Sequence, residues 1–208
     1  MFGSDVVYLQ RFLKAEGLYQ GLVDNDYGSK TEAAKAEHDR LTKEIANRYG
    51  MDDEFRITNE LCICTLLLPA QIEARKFLAR IKPAGLRAHL TWGGRTYNEQ
   101  AKIYAQGRTA PGNIVTDAKP GRSLHNFGIA WDVGIFDSHG RYIWIDELFD
   151  KLGTIGIAPE IQWGGNWKKP DRPHWQLNFS MPANVMQKHF EAGTFHHRIL
   201  QDWRYQQQ

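Results

Sequence analysis

The segment from Ser123 to Asp132, SLHNFGIAWD, constrains the fold of this chain more than any other stretch. Small or polar residues alternate with large apolar ones as it continues into GIAWDVGIF, which predicts a strand with two different faces. Ala130, Asp132 and Gly134 share one face, which leaves open space in front of the carboxylate. The opposite face is apolar and consists of Trp131, Val133 and Ile135. A buried carboxylate in such a strand is costly unless it is paired or binds a cation.

Histidines near this strand and further along the chain complete a set of metal ligands. His125 lies just before the strand, and Gly128 lets the backbone bend so that the imidazole approaches the face of Asp132. The segment DRPHW contributes His174 about forty residues later, together with Asp171. Two imidazoles and one carboxylate form a three-ligand zinc site with a fourth position open for water, and Asp171 remains to act as a base. This combination predicts metal-assisted hydrolysis.

Composition excludes several other classes of function. The chain has 208 residues, of which 42% are hydrophobic and 24% charged, as in an ordinary globular protein. The net charge of +2 is too small to favour nucleic acid, and the longest apolar run, 61–70, is too short to span a bilayer. The first residues lack the basic start and apolar core of a secretory leader. We therefore expect no nucleic-acid partner, no membrane insertion, a monomer, and synthesis in the cytoplasm with action outside it only after release.

Periodicity predicts an α+β protein with a mostly antiparallel sheet, flanking helices and a small helical module in front. We predict a helical module at 1–50, a polar linker at 51–58 and the main domain at 59–208. Helices are expected from Val6, from Ser29 to Gly50, after Pro69 and from Tyr97 to Gly107. Strands are expected in LRAHLTWGG, FGIAWDVGIF, RYIWI and HWQLNF, whereas APEIQWGGNW has the composition of a turn.

The N-terminal module resembles the small peptidoglycan-binding repeat of cell-wall hydrolases. The residues that carry the resemblance are Leu9, Gln10, Gly17, Tyr19, Gly21, Asp24, Tyr27, Gly28 and Thr31. Asn25 departs from the usual glycine, and Glu37 with His38 departs from the usual Phe-Gln pair. The resemblance implies that residues 1–50 hold the protein on the cell wall. The alternative is a helical hairpin that only packs on the catalytic domain.

The main domain resembles the zinc peptidases of the D-alanyl-D-alanine carboxypeptidase and L-alanyl-D-glutamate endopeptidase group, family M15. SLHNFGIAWD fits the signature S-x-H-x-x-G-x-A-x-D, DRPHWQL resembles the second motif, and GGRTYNEQ resembles a third. The resemblance implies zinc ligation by His125, Asp132 and His174. It also implies that Asp171 is the catalytic base, that Arg95 stabilises the carbonyl oxygen of the attacked bond, and that Ser123 orients the site or contacts substrate. Gly94 departs from the tyrosine that the family usually has there.

The second motif distinguishes the branches of this group. The carboxypeptidase and dipeptidase branches carry a Glu base in an E-P-W-H motif, whereas this chain has Asp171 followed by Pro173 and His174. We therefore expect the L-alanyl-D-glutamate bond of the peptidoglycan stem peptide to be cleaved, with a metal-bound water as nucleophile, by a phage endolysin or a bacterial wall enzyme. D-alanyl-D-alanine carboxypeptidase activity and a non-catalytic, zinc-stabilised wall-binding protein are the alternatives.

Several other residues have both a functional and a structural interpretation. Three tryptophans, Trp163, Trp167 and Trp175, either line a substrate groove or close the core. We predict substrate contacts for Trp163 and Trp175. Arg108 and Lys119 either meet acidic groups of the stem peptide or are solvated. Cys62 and Cys64 are too close in sequence for a disulfide and are expected to be buried thiols. We expect ordinary polar roles for His38, His89, His139, His189, His196 and His197.

Overall fold

A computed structural model describes residues 5–50 and 53–200 of the chain. The helices are α1 (Val6–Ala15), α2 (Ser29–Tyr49), α3 (Arg56–Ile63), α4 (Leu68–Ile81), α5 (Tyr97–Ala105), α6 (Asp146–Gly156) and α7 (Ala183–Glu191). The strands are β1 (Ala88–Trp92), β2 (Ala130–Ile135), β3 (Ile161–Trp163) and β4 (His174–Leu177). Short 3₁₀ helices span Lys82–Ala84, Leu124–Phe127 and Gly164–Asn166, and a π-helix spans His196–Leu200.

The chain forms two compact units, and each is built from separated segments. The first unit contains Met1–Leu41, Arg95–Gly128 and Phe179–Gln208, and the second contains Thr42–Gly94 and Ile129–Asn178. The predicted division into residues 1–50, 51–58 and 59–208 stays a prediction.

The core of the first unit is aromatic. Tyr8 and Phe12 on α1, which is N-capped by Asp5, stack with ring centroids 6.4 Å apart. Phe190 on α7 lies 5.6 Å from Tyr8 and 5.5 Å from Phe127, again between ring centroids. All four rings are almost fully buried, so their apolar area contributes to the stability of this unit.

A buried glutamine organises the loop between α1 and α2. The Nε2 amide of Gln10 donates to Asp24 Oδ1 at 2.7 Å and to the carbonyl of Asp26 at 3.0 Å. Its Oε1 accepts from the backbone amides of Asp24 and Asn25, at 3.0 and 3.2 Å. Asn25 has φ of 65°, so it adopts the left-handed conformation that glycine tolerates more easily. One fully buried side chain thus replaces regular secondary structure as the support of this loop.

The second unit is built on a four-stranded antiparallel sheet with strand order β1-β2-β4-β3. One face of the sheet is apolar and packs on α4, where the Phe77 ring lies 4.4 Å from Trp175 and 6.3 Å from Trp131. Trp131 and Trp175 form a directly opposed pair of β2 and β4. The strand residues next to each tryptophan point to the other face, which carries Asp132, His174 and Gln176. The sheet therefore separates its packing surface from its polar surface.

These elements confirm the predicted α+β class with a mostly antiparallel sheet. Two local predictions are wrong. Residues 161–163 form β3 rather than a turn, because pairing with β4 compensates for the glycines that follow them. Tyr142, in the predicted strand RYIWI, forms only an isolated bridge with Phe136. Within the predicted linker, residues 51 and 52 lie outside the described residues, and α3 begins at Arg56.

Throughout residues 5–50 and 53–200, the structure has no helix that combines the length and the apolar character needed to cross a membrane.

Candidate functional site

Strand pairing brings Asp132 and His174 together. The two residues are direct partners in the antiparallel register of β2 and β4, and Asp132 Oδ1 lies 3.3 Å from His174 Nδ1. His174 is 7% exposed, whereas the side chain of Asp132 is 25% exposed. Burial by itself lowers the pKa of His174, but the hydrogen bond and charge of Asp132, with the charge of Asp171, raise it overall. The pair therefore presents a carboxylate oxygen and an imidazole nitrogen at a partly open surface.

His125 lies on the 3₁₀ helix Leu124–Phe127 of the first unit and is held through its backbone. Its carbonyl accepts a hydrogen bond from the amide of Arg95 at 2.9 Å. Gly128 ends the helix in the left-handed conformation, with φ of 66°, and so produces the bend that we predicted in front of β2. The next residue, Asn126, is fully buried and donates to the carbonyl of Arg95 at 2.8 Å. Its oxygen accepts from the amide of Gly121 at 3.0 Å, so the segments around Arg95 and Gly121 both support the His125 backbone.

Arg95, the predicted oxyanion-stabilising residue, is 7% exposed. One terminal nitrogen of its guanidinium donates to Gln100 Oε1 at 3.0 Å, and Gln100 in turn donates to the carbonyl of Ala118 at 2.8 Å. Thr96 and Glu99 form a capping box at the start of α5 and fix the backbone directly after Arg95. Because one end of the guanidinium is tied to α5, its direction is set by the fold.

The candidate ligand atoms of His125, Asp132 and His174, one from each residue, all lie within 4.8 Å of one another. Among the described residues this is the one group of three or more histidine, cysteine or acidic side chains that could hold a metal ion. Two imidazoles and one carboxylate suit zinc, which binds nitrogen and oxygen ligands with roughly tetrahedral geometry. The donor set therefore fits a zinc ion with one position left for another ligand.

Asp171, the predicted base, is exposed and sits in a turn with defined supports. Its backbone amide donates to Gly164 at 3.0 Å, and its carbonyl accepts from the amide of His174 at 3.1 Å. A Cβ atom on Gly164 would lie 2.5 Å from the Asp171 carbonyl oxygen, so only glycine permits this close approach. The charge of Asp171 contributes to the raised pKa values of both His174 and Tyr142. The turn therefore keeps a solvent-accessible carboxylate in the electrostatic field of the Asp132–His174 pair.

Two of the three tryptophans pack in the core of the second unit. Trp175 is 1% exposed and Trp163 is 7% exposed, and the two rings stack at 5.9 Å within the core of the second unit. Trp163 also donates through Nε1 to the carbonyl of Arg172 at 2.7 Å and so supports the Asp171 turn. Both rings therefore contribute to packing, and direct substrate contact by Trp163 and Trp175 stays a prediction. Trp167 is only half-buried, and its ring lies 5.0 Å from that of His174.

Other residues that we singled out from the sequence form hydrogen bonds with nearby backbone. Ser123 is half-buried at the start of the 3₁₀ helix, and its carbonyl accepts from the amide of Asn126. Arg108 donates to the carbonyls of Tyr104 and Thr116, so it braces its own loop. Cys62 and Cys64 are half-buried rather than buried as predicted and form no disulfide; the Cys62 thiol donates to the carbonyl of Leu90. Burial, with Cys64 and Asp132 nearby, raises the pKa of Cys62 to about 11, which keeps it protonated at neutral pH.

Two glutamines next to the site were not predicted. Gln176 Oε1 lies 3.1 Å from His174 Nε2, and Gln176 Nε2 donates to Gln162 Oε1 at 2.8 Å. The alternation of side chains along a strand could have predicted Gln176, because it follows His174 by two residues and must share its face. Gln162 could not be found in the same way, since its segment reads as a turn. Tyr142 was also missed; its ring approaches Gly134, where a Cβ atom would lie 2.9 Å from it.

Comparisons with known proteins find sequence similarity to peptidoglycan peptidases. The model of the VanY family, described as D-alanyl-D-alanine carboxypeptidase, matches residues 67–151. That range includes Arg95, His125 and Asp132, whereas Asp171 and His174 lie beyond it. The peptidoglycan L-alanyl-D-glutamate endopeptidase CwlK of Bacillus subtilis (strain 168) is 39% identical over 103 residues, which cover 45% of this chain. The match covers 62% of that relative, so this chain spans less than two thirds of its length.

A solved structure gives a weaker likeness. The crystal structure of the Serratia marcescens L-Ala D-Glu endopeptidase ChiX aligns with 58% of this chain and 86% of its own, at 22% identity and a TM-score of 0.42. The similarity of this chain to peptidoglycan peptidases therefore rests on the sequence comparisons. Residues 67–151 contain the VanY-type sequence, and the resemblance of this chain to the M15 peptidases, predicted from its motifs, is confirmed.

Proposed function

We propose that this protein is a zinc-dependent peptidoglycan peptidase that hydrolyses the L-alanyl-D-glutamate bond of the stem peptide. The observation that carries the proposal is the group of three ligand atoms from His125, Asp132 and His174 within 4.8 Å. The 39% identity to an enzyme named as a peptidoglycan L-alanyl-D-glutamate endopeptidase supports the choice of substrate and bond. Action at the cell wall after release from the cytoplasm, as a phage endolysin or a bacterial wall enzyme, belongs to the same proposal.

In this proposal the three ligands have a simple role. His125, Asp132 and His174 hold the ion and leave one side of it accessible, since Asp132 is partly exposed. Zinc supplies a Lewis acid that acidifies water and polarises a peptide carbonyl. The backbone bond between Arg95 and His125 and the strand pairing of Asp132 with His174 keep the ligands in place without help from the substrate.

Asp171 and Arg95 would move the proton and stabilise the charge. The exposed Asp171 carboxylate accepts the proton of the attacking water and returns it to the amine of D-glutamate as the peptide bond breaks. The planar guanidinium of Arg95, which Gln100 helps to orient, is suited to the negative charge that develops on the carbonyl oxygen. The reaction consumes one water molecule: the peptide C–N bond breaks, the carbonyl carbon of L-alanine gains the water oxygen, and the amine of D-glutamate gains the proton.

Purified protein, peptidoglycan and a chelator test the proposal. We expect about one zinc per chain by elemental analysis, loss of wall hydrolysis on chelation, and recovery on addition of zinc. Digested muropeptides are expected to show new N-terminal D-glutamate by mass spectrometry. Intact stem peptides after incubation with zinc-loaded protein would contradict the proposal and favour a non-catalytic wall-binding protein.

A second activity has one specific observation in its favour. The family model that matches residues 67–151 is described as D-alanyl-D-alanine carboxypeptidase. The same digest separates the two activities, because a carboxypeptidase releases free D-alanine and creates no new N-terminus.

We also propose that the loop of the N-terminal module contacts the cell wall. The buried side chain of Gln10 holds this loop by hydrogen bonds, whereas Leu22 and Tyr27 on the same loop are 80% and 48% exposed. Full-length protein with Leu22→Ser and Tyr27→Ser is expected to sediment less with purified sacculi than the parent. Its hydrolysis of soluble muropeptides is expected to stay unchanged. Equal sedimentation would favour a module that only packs on the rest of the protein.

A further inference from the structure

Arg172, the residue directly after the proposed base, is held through both its side chain and its backbone. Its guanidinium donates through Nε to Asp150 Oδ1 at 2.9 Å, and its Nη1 lies 3.1 Å from Asp146 Oδ2. Its backbone carbonyl accepts from Nε1 of Trp163 at 2.7 Å. The side chain of Arg172 is 25% exposed, so most of it is covered by these neighbours. Arg172 is therefore tied to α6 by charge and to the end of β3 by a hydrogen bond.

The two carboxylates on α6 form a prepared acceptor for a guanidinium. Asp146 and Asp150 are four residues apart on the helix, so they lie on the same side of it. The carboxylate of Asp146 is itself oriented, because its Oδ1 accepts from Nε1 of Trp144 at 3.0 Å while its Oδ2 faces Arg172. A guanidinium presents several donors in one plane and can bind both carboxylates at once.

The anchored residue is one peptide bond away from Asp171 and belongs to the same turn. The amide of Asp171 donates to the carbonyl of Gly164 at 3.0 Å on one side of Arg172. On the other side, Pro173 restricts the backbone of Arg172, and the carbonyl of Pro173 accepts from the amide of Val133 at 2.9 Å. The turn is thus supported before and after Arg172 by backbone bonds, and at Arg172 by the ion pairs with α6.

We propose that Arg172, anchored on α6 by Asp146 and Asp150, is a positioning residue that fixes the turn of Asp171 and so sets the place of its carboxylate. This inference rests on the role of Asp171 as the base in the proposed function, and it deepens that function by naming the residues that position the base. Arg172 acts through Asp171. Exposed ion pairs contribute little to overall stability, so their loss should appear in turnover rather than in folding.

The first experiment measures kcat, KM and zinc content of the full-length, zinc-loaded protein with soluble muropeptides. A catalytic group displaced by about 1 Å can cost about 100-fold in rate, so Arg172→Ala, which loosens the turn on one side, is expected to lower kcat about 10-fold. KM and zinc content are expected to stay at the parent values. Arg172→Lys keeps a positive charge and should recover part of the loss, whereas Asp146→Asn combined with Asp150→Asn should reproduce it. The matched control is Arg141→Ala, which removes an exposed ion pair with Asp137 and should leave kcat unchanged.

A double-mutant cycle separates positioning of the base from a general loss of structure. In an Asp171→Asn background there is no base to position, so Arg172→Ala should lower the remaining rate by less than about twofold. An equal fold loss in both backgrounds overturns the proposal. A parent value of kcat in Arg172→Ala, or loss of zinc from that variant, overturns it as well.

Hydrogen exchange tests the support of the turn without peptidoglycan. In the zinc-free protein, the amide of Asp171 is expected to exchange faster in Arg172→Ala than in the parent. The amide of Leu177 on β4, which donates to the carbonyl of Ile129, is the internal control and should keep its rate. An unchanged rate at Asp171 overturns the proposal. A parent that cleaves no muropeptide, combined with faster exchange in Arg172→Ala, would contradict the proposed function and leave the support of the turn by Arg172 standing.

Discussion

The two faces of strands β2 and β4 have opposite roles although they alternate residue by residue. Trp131 and Trp175 point to the face that packs on Phe77, and both are at most 1% exposed. Asp132 and His174, their immediate neighbours, point to the other face and form the 3.3 Å pair. Removal of apolar area from water dominates on the first face, and hydrogen bonding and charge dominate on the second.

This comparison shows how the site obtains its precision. The Cα positions of Asp132 and His174 are fixed by strand pairing, which the apolar face stabilises from behind. Site residues on strands are held more firmly than residues on free loops, and this lowers the entropy lost on binding a metal. Substitutions on the polar face should therefore affect chemistry, whereas substitutions on the apolar face should affect stability.

The largest effect is expected from removal of a ligand on the polar face. His174→Ala should abolish tight zinc binding and lower wall hydrolysis by about 10³-fold or more, because several kcal/mol of metal stabilisation are lost. The measurements are metal content by elemental analysis and the rate of muropeptide cleavage. A variant that keeps its zinc and its rate would remove His174 from the ligand set.

Loss of the base is expected to have the next largest effect and to leave the metal in place. Asp171→Asn should lower the turnover rate by about 10²- to 10⁴-fold, the usual contribution of general base catalysis. Zinc affinity should stay at the parent value. The matched control is Asp39→Asn, which changes a partly exposed carboxylate on α2 that pairs with Lys35 and should leave the rate unchanged. Equal rates for Asp171→Asn and the parent would exclude Asp171 as the base.

On the apolar face, Trp175→Ala should reduce the free energy of unfolding of the zinc-free protein by about 3–5 kcal/mol. The reason is the cavity left against Phe77 and Trp163, with which Trp175 packs at 4.4 and 5.9 Å. Urea unfolding of the zinc-free form measures this directly. His174→Ala, one position earlier on β4, serves as the comparison and should lose less stability. A larger loss for His174→Ala would mean that the polar face also carries the fold.

The smallest effect concerns a glycine behind the apolar face. A Cβ atom at Gly153 on α6 would lie 2.3 Å from the Trp163 ring. Gly153→Ala gains up to about 1 kcal/mol of helix propensity but costs about 1–3 kcal/mol by overpacking, for a net loss of about 1 kcal/mol. In a Trp163→Leu background the substitution should become neutral or stabilising, as measured in a double-mutant cycle. An unchanged penalty there would assign the cost to the helix itself.

Much of the polar face could be predicted from alternation and motif spacing. The period of two in GIAWDVG assigned Asp132 and Trp131 to opposite faces, and the structure agrees. The same rule, applied to HWQLNF, would have placed Gln176 beside His174. The short strand β3 could not be predicted, because three residues followed by glycines carry a weak propensity signal and form a strand only through pairing with β4.

The sequence could not predict which tryptophans lie in the core and which lie near the site. Trp163, Trp167 and Trp175 are equally suited to a groove or to a core by residue type alone. Tertiary packing buries Trp163 and Trp175 and leaves Trp167 next to the His174 ring, which no local pattern encodes. Burial depends on which surfaces meet, and that involves contacts between residues distant in sequence.

The sequence by itself determined the fold class, the donor types of the candidate metal site and the face on which Asp132 lies, because these depend on side-chain chemistry and a period of two. The tertiary structure decided how the site is supported. The bond from Arg95 to the His125 carbonyl, the Gly164 contact under Asp171 and the two amides behind His174 each join residues from different elements. Such bonds depend on distances that exist only once the chain has packed, so no local pattern can specify them.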